Sequence, residues 1–179
     1  MTDPRFHMRH LVPDAPESPY VVRHVWRRME EDGLTRATFY DGSVTTADGL
    51  VHELLECGAL SFALFWEGYL CGASWFNRFE GRAARGHFVL FRAVWGHART
   101  IPIGRGIFSA VLGLKDARGH FFDVVLGLTP EFSLSWRLAL RCGARLVGRI
   151  PGGVYLEAER RSAAGVLVAA TRESLKGEL

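Results

Sequence analysis

Lysine is nearly missing from this chain: of its 22 basic residues only Lys115 and Lys176 are lysine, and the rest are arginine. Such a bias is what a GC-rich genome produces. The arginines are spread along the sequence without a basic run and the formal net charge is only +3, so the footprint of a nucleic-acid face is missing and no nucleic acid is expected as a partner. Cysteine is scarce too. Cys57, Cys71 and Cys142 are odd in number, far apart and free of C-x-x-C spacing, which argues against a zinc knuckle or a disulfide framework and for a reducing compartment. The seven histidines show no metal-ligand spacing, so no metal is expected. No segment approaches the ~20 apolar residues of a membrane span, and no cationic start precedes an apolar stretch of signal-peptide length. No membrane partner is therefore expected, and a cytoplasmic location is the default.

What is present is apolar and aromatic. With 179 residues, 48% of them hydrophobic and 12% aromatic, the chain suits one globular domain over 1–179, which buries roughly two-thirds or more of the surface its unfolded form exposes. Periodicity orders the elements. A strand is expected over Phe6–Val12 and a helix over Tyr20–Glu31, where Val21, Val22, Val25, Trp26 and Met29 recur at helical spacing. Asp41-Gly42-Ser43 reads as a turn and Thr46–Cys57 as a second helix stopped by Gly58. From Leu60 the period becomes two. Leu60–Trp66 and Tyr69–Phe79 flank a Glu67-Gly68 hairpin turn, and His87–Trp95 follows a polar loop as the next strand. Gly104–Arg118 reads as a helix and Phe121–Leu128 as a strand buried on both faces, hence in parallel pairing. A helix over Glu131–Cys142 ends at Gly143. Arg145–Ile150 and Val154–Glu159 then make a hairpin about Pro151-Gly152-Gly153, and Ser162–Leu175 forms a helical extension within 160–179. The fold class is α/β (α+β), a central mixed but mostly antiparallel sheet with flanking helices.

Between the third and fourth long apolar segments lies Val94–Phe108, Val-Trp-Gly-His-Ala-Arg-Thr-Ile-Pro-Ile-Gly-Arg-Gly-Ile-Phe. A loop that ends in glycine and opens a helix presents unpaired N–H groups at the positive end of the helix dipole, so it reads as an anion cradle with phosphate as its natural ligand. Two nucleotide motifs are not met. Ser109 stands where G-x-G-x-x-G needs its third glycine, and no Gly-Lys-Ser/Thr is present for a Walker loop. Pro102 removes one N–H from the cradle and fixes φ, which leaves open either a lost phosphate contact or a stiffer loop whose other donors remain.

The order of elements together with this loop resembles the GNAT superfamily of acetyl-CoA-dependent N-acetyltransferases, best over Leu60–Glu159. Val94, Gly96, Arg99, Thr100, Ile101, Pro102, Ile103 and Gly104 fall in the places of that family's loop, and Arg105, Gly106, Ile107 and Phe108 continue as its helix does. A second register, Ile101 to Gly106, keeps both glycines but loses the Arg or Gln. Downstream, Ser135–Gly152 resembles the family's next helix, Gly-Phe turn and strand, with Gly143 on the glycine. Phe132 stands at the customary Asn, Ala139 at the Tyr that often protonates the leaving thiolate, and Ala144 at the Phe.

The resemblance implies a GNAT-like acyl-CoA N-acyltransferase that takes acetyl-CoA as cosubstrate and acylates an amine on a small molecule or peptide. It implies cofactor contacts at Val94, Arg99, Ile103, Gly104, Arg105, Gly106 and Ser133, with the pantetheine arm along the end of the His87–Trp95 strand. His97, Glu131 and Ser135 are then the candidate acid and base residues. Each has a plainer reading: His97 as a surface histidine, and Glu131, Ser133 and Ser135 as first-turn and capping residues of a helix. Asp123, a carboxylate inside an apolar strand, is either a salt-bridge partner or a substrate contact. Relatives that look phage-associated also carry a Leu-Ala pair where Leu138-Ala139 stand, so the missing Tyr does not exclude activity; the alternative function is a catalytically degenerate, phage-related GNAT-fold protein with a binding or assembly role. A homodimer is also open, because Val166 and Leu167 lie in an apolar run near the C-terminus.

Overall fold

A computed structural model describes residues 3–176. Phe6–His10 forms β1, Ser18–Glu31 the helix α1 with a proline in its first turn, Thr35–Thr38 the one-turn α2, and Ala47–Val51 the helix α3. The Thr46 side chain accepts from the Gly49 N–H and so caps α3, which then runs into a π-helical turn, His52–Glu56. Leu60–Trp66, Tyr69–Glu80 and Ala83–Leu90 are β2, β3 and β4. His97–Gly113 is α4, and Lys115–Asp116 with Gly119–His120 make the small β5/β6 hairpin. Val124–Pro130 is β7, Ser135–Arg141 α5, Arg145–Leu156 β8, Arg161–Thr171 β9 and Arg172–Lys176 α6.

Seven strands form one sheet in the order β1-β2-β3-β4-β7-β9-β8. All neighbours are antiparallel except β4 and β7, the pair joined through α4, so the expected mixed, mostly antiparallel sheet is present. One apolar cluster lies between the sheet and α1/α3 and includes Val25, Leu54, Ala73, Trp75 and Val89; the other lies under α4/α5 and includes Leu64, Phe76, Leu90, Ile103, Ile107 and Val125. No helix among the described residues is long and apolar enough to cross a membrane.

Four expectations are corrected. The segment Arg161–Thr171 is not a helix but β9, hydrogen-bonded on both sides, to β7 and to β8. Its alanines favour helix locally, yet Val166, Val168 and Ala170 are buried alternately, and ladders on both edges outweigh a propensity worth a few tenths of a kcal/mol per residue (about 0.7 at most). Pro151-Gly152-Gly153 is not a hairpin turn but lies within β8, where the register slips between Ile150 and Val154. The strand expected to reach Trp95 ends at Leu90 and gives way to a 3₁₀ turn over Arg92–Val94.

The fourth correction concerns the cradle. Helix α4 begins at His97, not Gly104, so Pro102 and the whole Ile103–Gly106 segment lie inside it. Proline leaves the Ala98 carbonyl without its helical partner, but Ile103, Ile107 and Val111 form a fully buried stripe at helical spacing that holds the helix against the sheet. The glycines serve this packing. A methyl group on Gly104 would overlap Cys142, which caps the C-terminus of α5, and one on Gly106 would overlap the Phe6 ring of β1.

Candidate functional site

The parallel strands β4 and β7 pair only over Ala83–Arg85 and Val124–Leu126. Beyond these three residue pairs they part. A cavity of about 720 Å³ fills the gap, and it passes through the sheet: Tyr40, Glu53, Trp75 and His87 line it from the α1/α3 side, and Ile101, Ile107, Trp136 and Ala139 from the α4/α5 side.

The strand edges turned into this gap follow from the alternation of ladder hydrogen bonds. The Phe91 N–H donates to Cys71 O on β3, so Phe88 and Leu90 direct their backbone groups away from β3 and into the gap. The Trp95 indole N–H closes off the Leu90 carbonyl at 2.8 Å; Phe88 lies deeper. On β7 the Glu131 N–H donates to Ala164 O of β9, so Pro130 and Leu128 face the gap. This explains a proline at the end of an interior strand, because its missing N–H falls on the side where the neighbouring strand has left. The Tyr40 hydroxyl donates to the Leu128 carbonyl at 3.3 Å, and burial together with nearby Asp41 raises its pKa, keeping the phenol protonated. Thr129 Oγ1 is buried without a hydrogen-bond partner among the described residues.

On the α1/α3 side, Asn77 Nδ2 donates to Glu53 Oε1 at 2.9 Å and His87 Nε2 lies 3.1 Å from Asn77 Oδ1. The His87 ring stacks on Trp75. Burial, reinforced by Arg85 and Arg78, pushes the His87 pKa down to about 4. None of these residues was singled out from the sequence. The available signal was a pair of polar residues, Asn77 and His87, on the same face of two adjoining strands.

The residues that the sequence did single out are scattered. His97 is exposed at the rim of the cavity and also borders a shallow hollow between α4 and α5 with Arg105 and Arg141. Val94 is buried and its carbonyl accepts from the Thr100 hydroxyl. The Arg99 guanidinium donates to the Ala93 carbonyl at 2.8 Å. Ile103, Gly104 and Gly106 are buried in the helix, so their amides are not a phosphate cradle. Glu131 is ion-paired with Arg149 of β8 and does not line the cavity. Ser133 and Ser135 do line it, but they bond to each other, hydroxyl to hydroxyl at 3.0 Å, and Ser133 Oγ accepts from the Ser135 N–H at the start of α5. Asp123 is a salt-bridge residue, with Arg82 at 2.8 Å and Arg172 at 2.5 Å. These placements predict that Glu131→Gln changes unfolding free energy by less than about 0.5 kcal/mol, since exposed pairs are worth little. Ser133→Ala should cost about 1 kcal/mol, the usual net worth of one hydrogen bond, here the one from the Ser135 N–H. Urea titration checks both.

No family model matches the chain, and neither does any curated protein sequence. Solved structures do. An acetyltransferase from Salmonella typhimurium that modifies the N-terminal serine of ribosomal protein L7/L12 superposes with a TM-score of 0.74 at 13% identity, over 94% of this chain and 96% of that one. The microcin C7 self-immunity acetyltransferase MccE, solved with acetyl-CoA and AMP, gives 0.67 at 12% identity over 94% and 93%. Spermidine N-acetyltransferase from Vibrio cholerae, solved with CoA and spermine, gives 0.68 at 10% identity over 98% and 100%. Through its split parallel pair, its helix placement and these superpositions, the chain has the GNAT acyl-CoA N-acyltransferase fold, reached by a sequence far from those of its structural neighbours.

Proposed function

We propose that the protein transfers an acyl group from an acyl-CoA thioester to an amine inside the split of the sheet. The observation that carries this reading is the cavity in the split, lined from both faces of the sheet, which suits a thioester on the α4/α5 side and an amine on the α1/α3 side. The amide-bearing pantetheine arm suits the gap, because Phe88 offers it N–H and C=O as a strand edge offers them to a neighbour. The unpartnered Thr129 hydroxyl is a further group that such a ligand satisfies. An N–H aimed at the thioester carbonyl gains strength as negative charge builds on that oxygen, and holding both reactants in the gap supplies the proximity term.

The diphosphate end fits less fully. Its expected donors at Ile103–Gly106 are helix interior, and the donors that take their place are the first N–H groups of α4, which no side chain caps and which open on the cavity rim beside Gly96 and His97. The loss of the cradle favours a second reading, a GNAT-fold protein that binds in this cleft without catalysis. A calorimetric titration decides. Acetyl-CoA and CoA are expected to bind at micromolar concentration, and thiol release over a panel of amines follows if the first reading holds. Binding without thiol release supports the second, and absence of binding at millimolar coenzyme overturns the acyl-CoA assignment.

A further inference from the structure

The Glu53–Asn77–His87 line is held together by two departures from regular backbone geometry. Glu53 belongs to the π-helical turn His52–Glu56. Asn77 is followed by an irregularity in the β3/β4 ladder in which Arg78 takes φ 48°. Such π-turns, bulges and left-handed non-glycine residues cost stability and concentrate where they aim side chains. Here both converge on one part-buried hydrogen-bonded line at the edge of the cavity.

Chemistry fixes the direction of that line. A carboxylate only accepts, so Asn77 turns its NH₂ to Glu53 and its carbonyl oxygen to His87; that oxygen only accepts, so His87 carries its proton on Nε2 and its lone pair on Nδ1. We propose that His87 Nδ1 is the base that takes the proton of the acceptor amine, and that Glu53 and Asn77 are positioning residues that keep the ring in this tautomer. The proposal rests on the acyl-transfer reading above. The amine lone pair forms the C–N bond while the carbonyl π pair moves to oxygen, and the N–H proton of the adduct passes to His87 Nδ1. As the carbonyl re-forms, the C–S bond breaks with its electron pair on sulfur. The proton then moves from His87 to the thiolate, so thioester and amine become amide and thiol with the imidazole restored. Its depressed pKa makes the ring a weak base, so the proton it takes is the adduct's N–H, made acidic by C–N bond formation, and not that of the free ammonium. The charged groups around it are Arg85 on β4, Arg78 on β3, Asp41 after α2 and Glu53 in the π-turn, which reaches it through Asn77.

Two measurements test this. In long-range ¹H–¹⁵N spectra of ¹⁵N-histidine protein, the His87 signals, identified by their loss in His87→Gln, are expected to show the Nε2–H tautomer at neutral pH. Glu53→Gln, which places a donor where the carboxylate stood and lets the Asn77 amide turn over, shifts them toward the Nδ1–H form; Glu53→Asp keeps the wild-type tautomer. In thiol-release assays with acetyl-CoA and an amine panel that includes a serine-initiated peptide and a polyamine, His87→Gln lowers kcat about 100-fold with KM for acetyl-CoA changed less than about threefold. Glu53→Gln lowers kcat about tenfold and Glu53→Asp restores most of it. A wild-type His87 that is protonated on Nδ1 at pH 7 overturns the proposal, and so does a His87→Gln protein within about threefold of wild-type kcat. Acetyl-CoA binding without turnover on any amine overturns it while sparing the binding site; absence of acetyl-CoA binding overturns the reading beneath it as well.

Discussion

Acidification from pH 7 to pH 4 is expected to remove about 3 kcal/mol of stability through His87 alone. Its pKa falls from the ordinary 6.5 to about 4 on folding, chiefly because the ring is buried and secondarily because Arg85 and Arg78 oppose a further positive charge. Between those two values the unfolded chain binds a proton that the folded chain refuses. Stability therefore declines as pH drops through 6.5 toward 4, levels off below 4, and has no His87 slope above 6.5, where both states are neutral. At about 1.4 kcal/mol per pKa unit the drop reaches the figure given. Urea unfolding of wild type and His87→Gln across this range is the check. The wild-type curve should fall more steeply between pH 6.5 and 4 and the two should run parallel elsewhere; parallel curves throughout would mean that the ring is not buried as described.

The second large effect falls on the supposed cradle. Replacing glycine by alanine inside a helix ordinarily stabilises by about 1 kcal/mol, yet Gly106→Ala is expected to destabilise by about 1–3 kcal/mol, the cost of forcing a methyl group into a filled core. The group it meets is the Phe6 ring of β1, itself buried. Phe6→Leu trims that ring, so the double variant Phe6→Leu, Gly106→Ala should lose less than the sum of the single losses, a coupling read from a double-mutant cycle. Acetyl-CoA affinity of folded Gly106→Ala should stay within about threefold of wild type, because the glycine serves packing and not an anion. A tenfold loss of affinity with stability unchanged would restore the cradle.

The sheet was legible because its strands carry local signals. Leu60–Trp66 and Tyr69–Phe79 are short apolar runs of strand length, and Glu67-Gly68 between them has the residues that a tight turn demands: Glu67 at φ 51° and Gly68 at φ 83°. The failures have one cause, which is that local signals were outvoted by contacts distant in sequence. Gly104 and Gly106 read as an anion cradle, but in α4 they are packed against Cys142 and Phe6, some forty and about a hundred residues away along the chain. Ala-rich β9 reads as helix until β7 and β8 are on either side of it. The polar line on the α1/α3 side of the cleft was invisible for the same reason. Glu53, Asn77 and His87 lie on a π-turn and two strands, match no spacing motif, and meet only when the sheet is assembled.

The short seam between β4 and β7 has a mechanical meaning. Each half of the sheet is laced along its length, four strands before the seam and three after it, but the halves share only three residue pairs. At the closed end Asp123 is clasped by Arg82 and Arg172 and its N–H donates to the Arg82 carbonyl, so that end is riveted, while at the other the strands have parted and the Leu128 carbonyl accepts from the Tyr40 hydroxyl instead. This is the layout of a pair of shears. A ligand lodged in the gap touches both blades at once, so its binding is expected to raise the unfolding free energy of the sheet as a whole and not of one half.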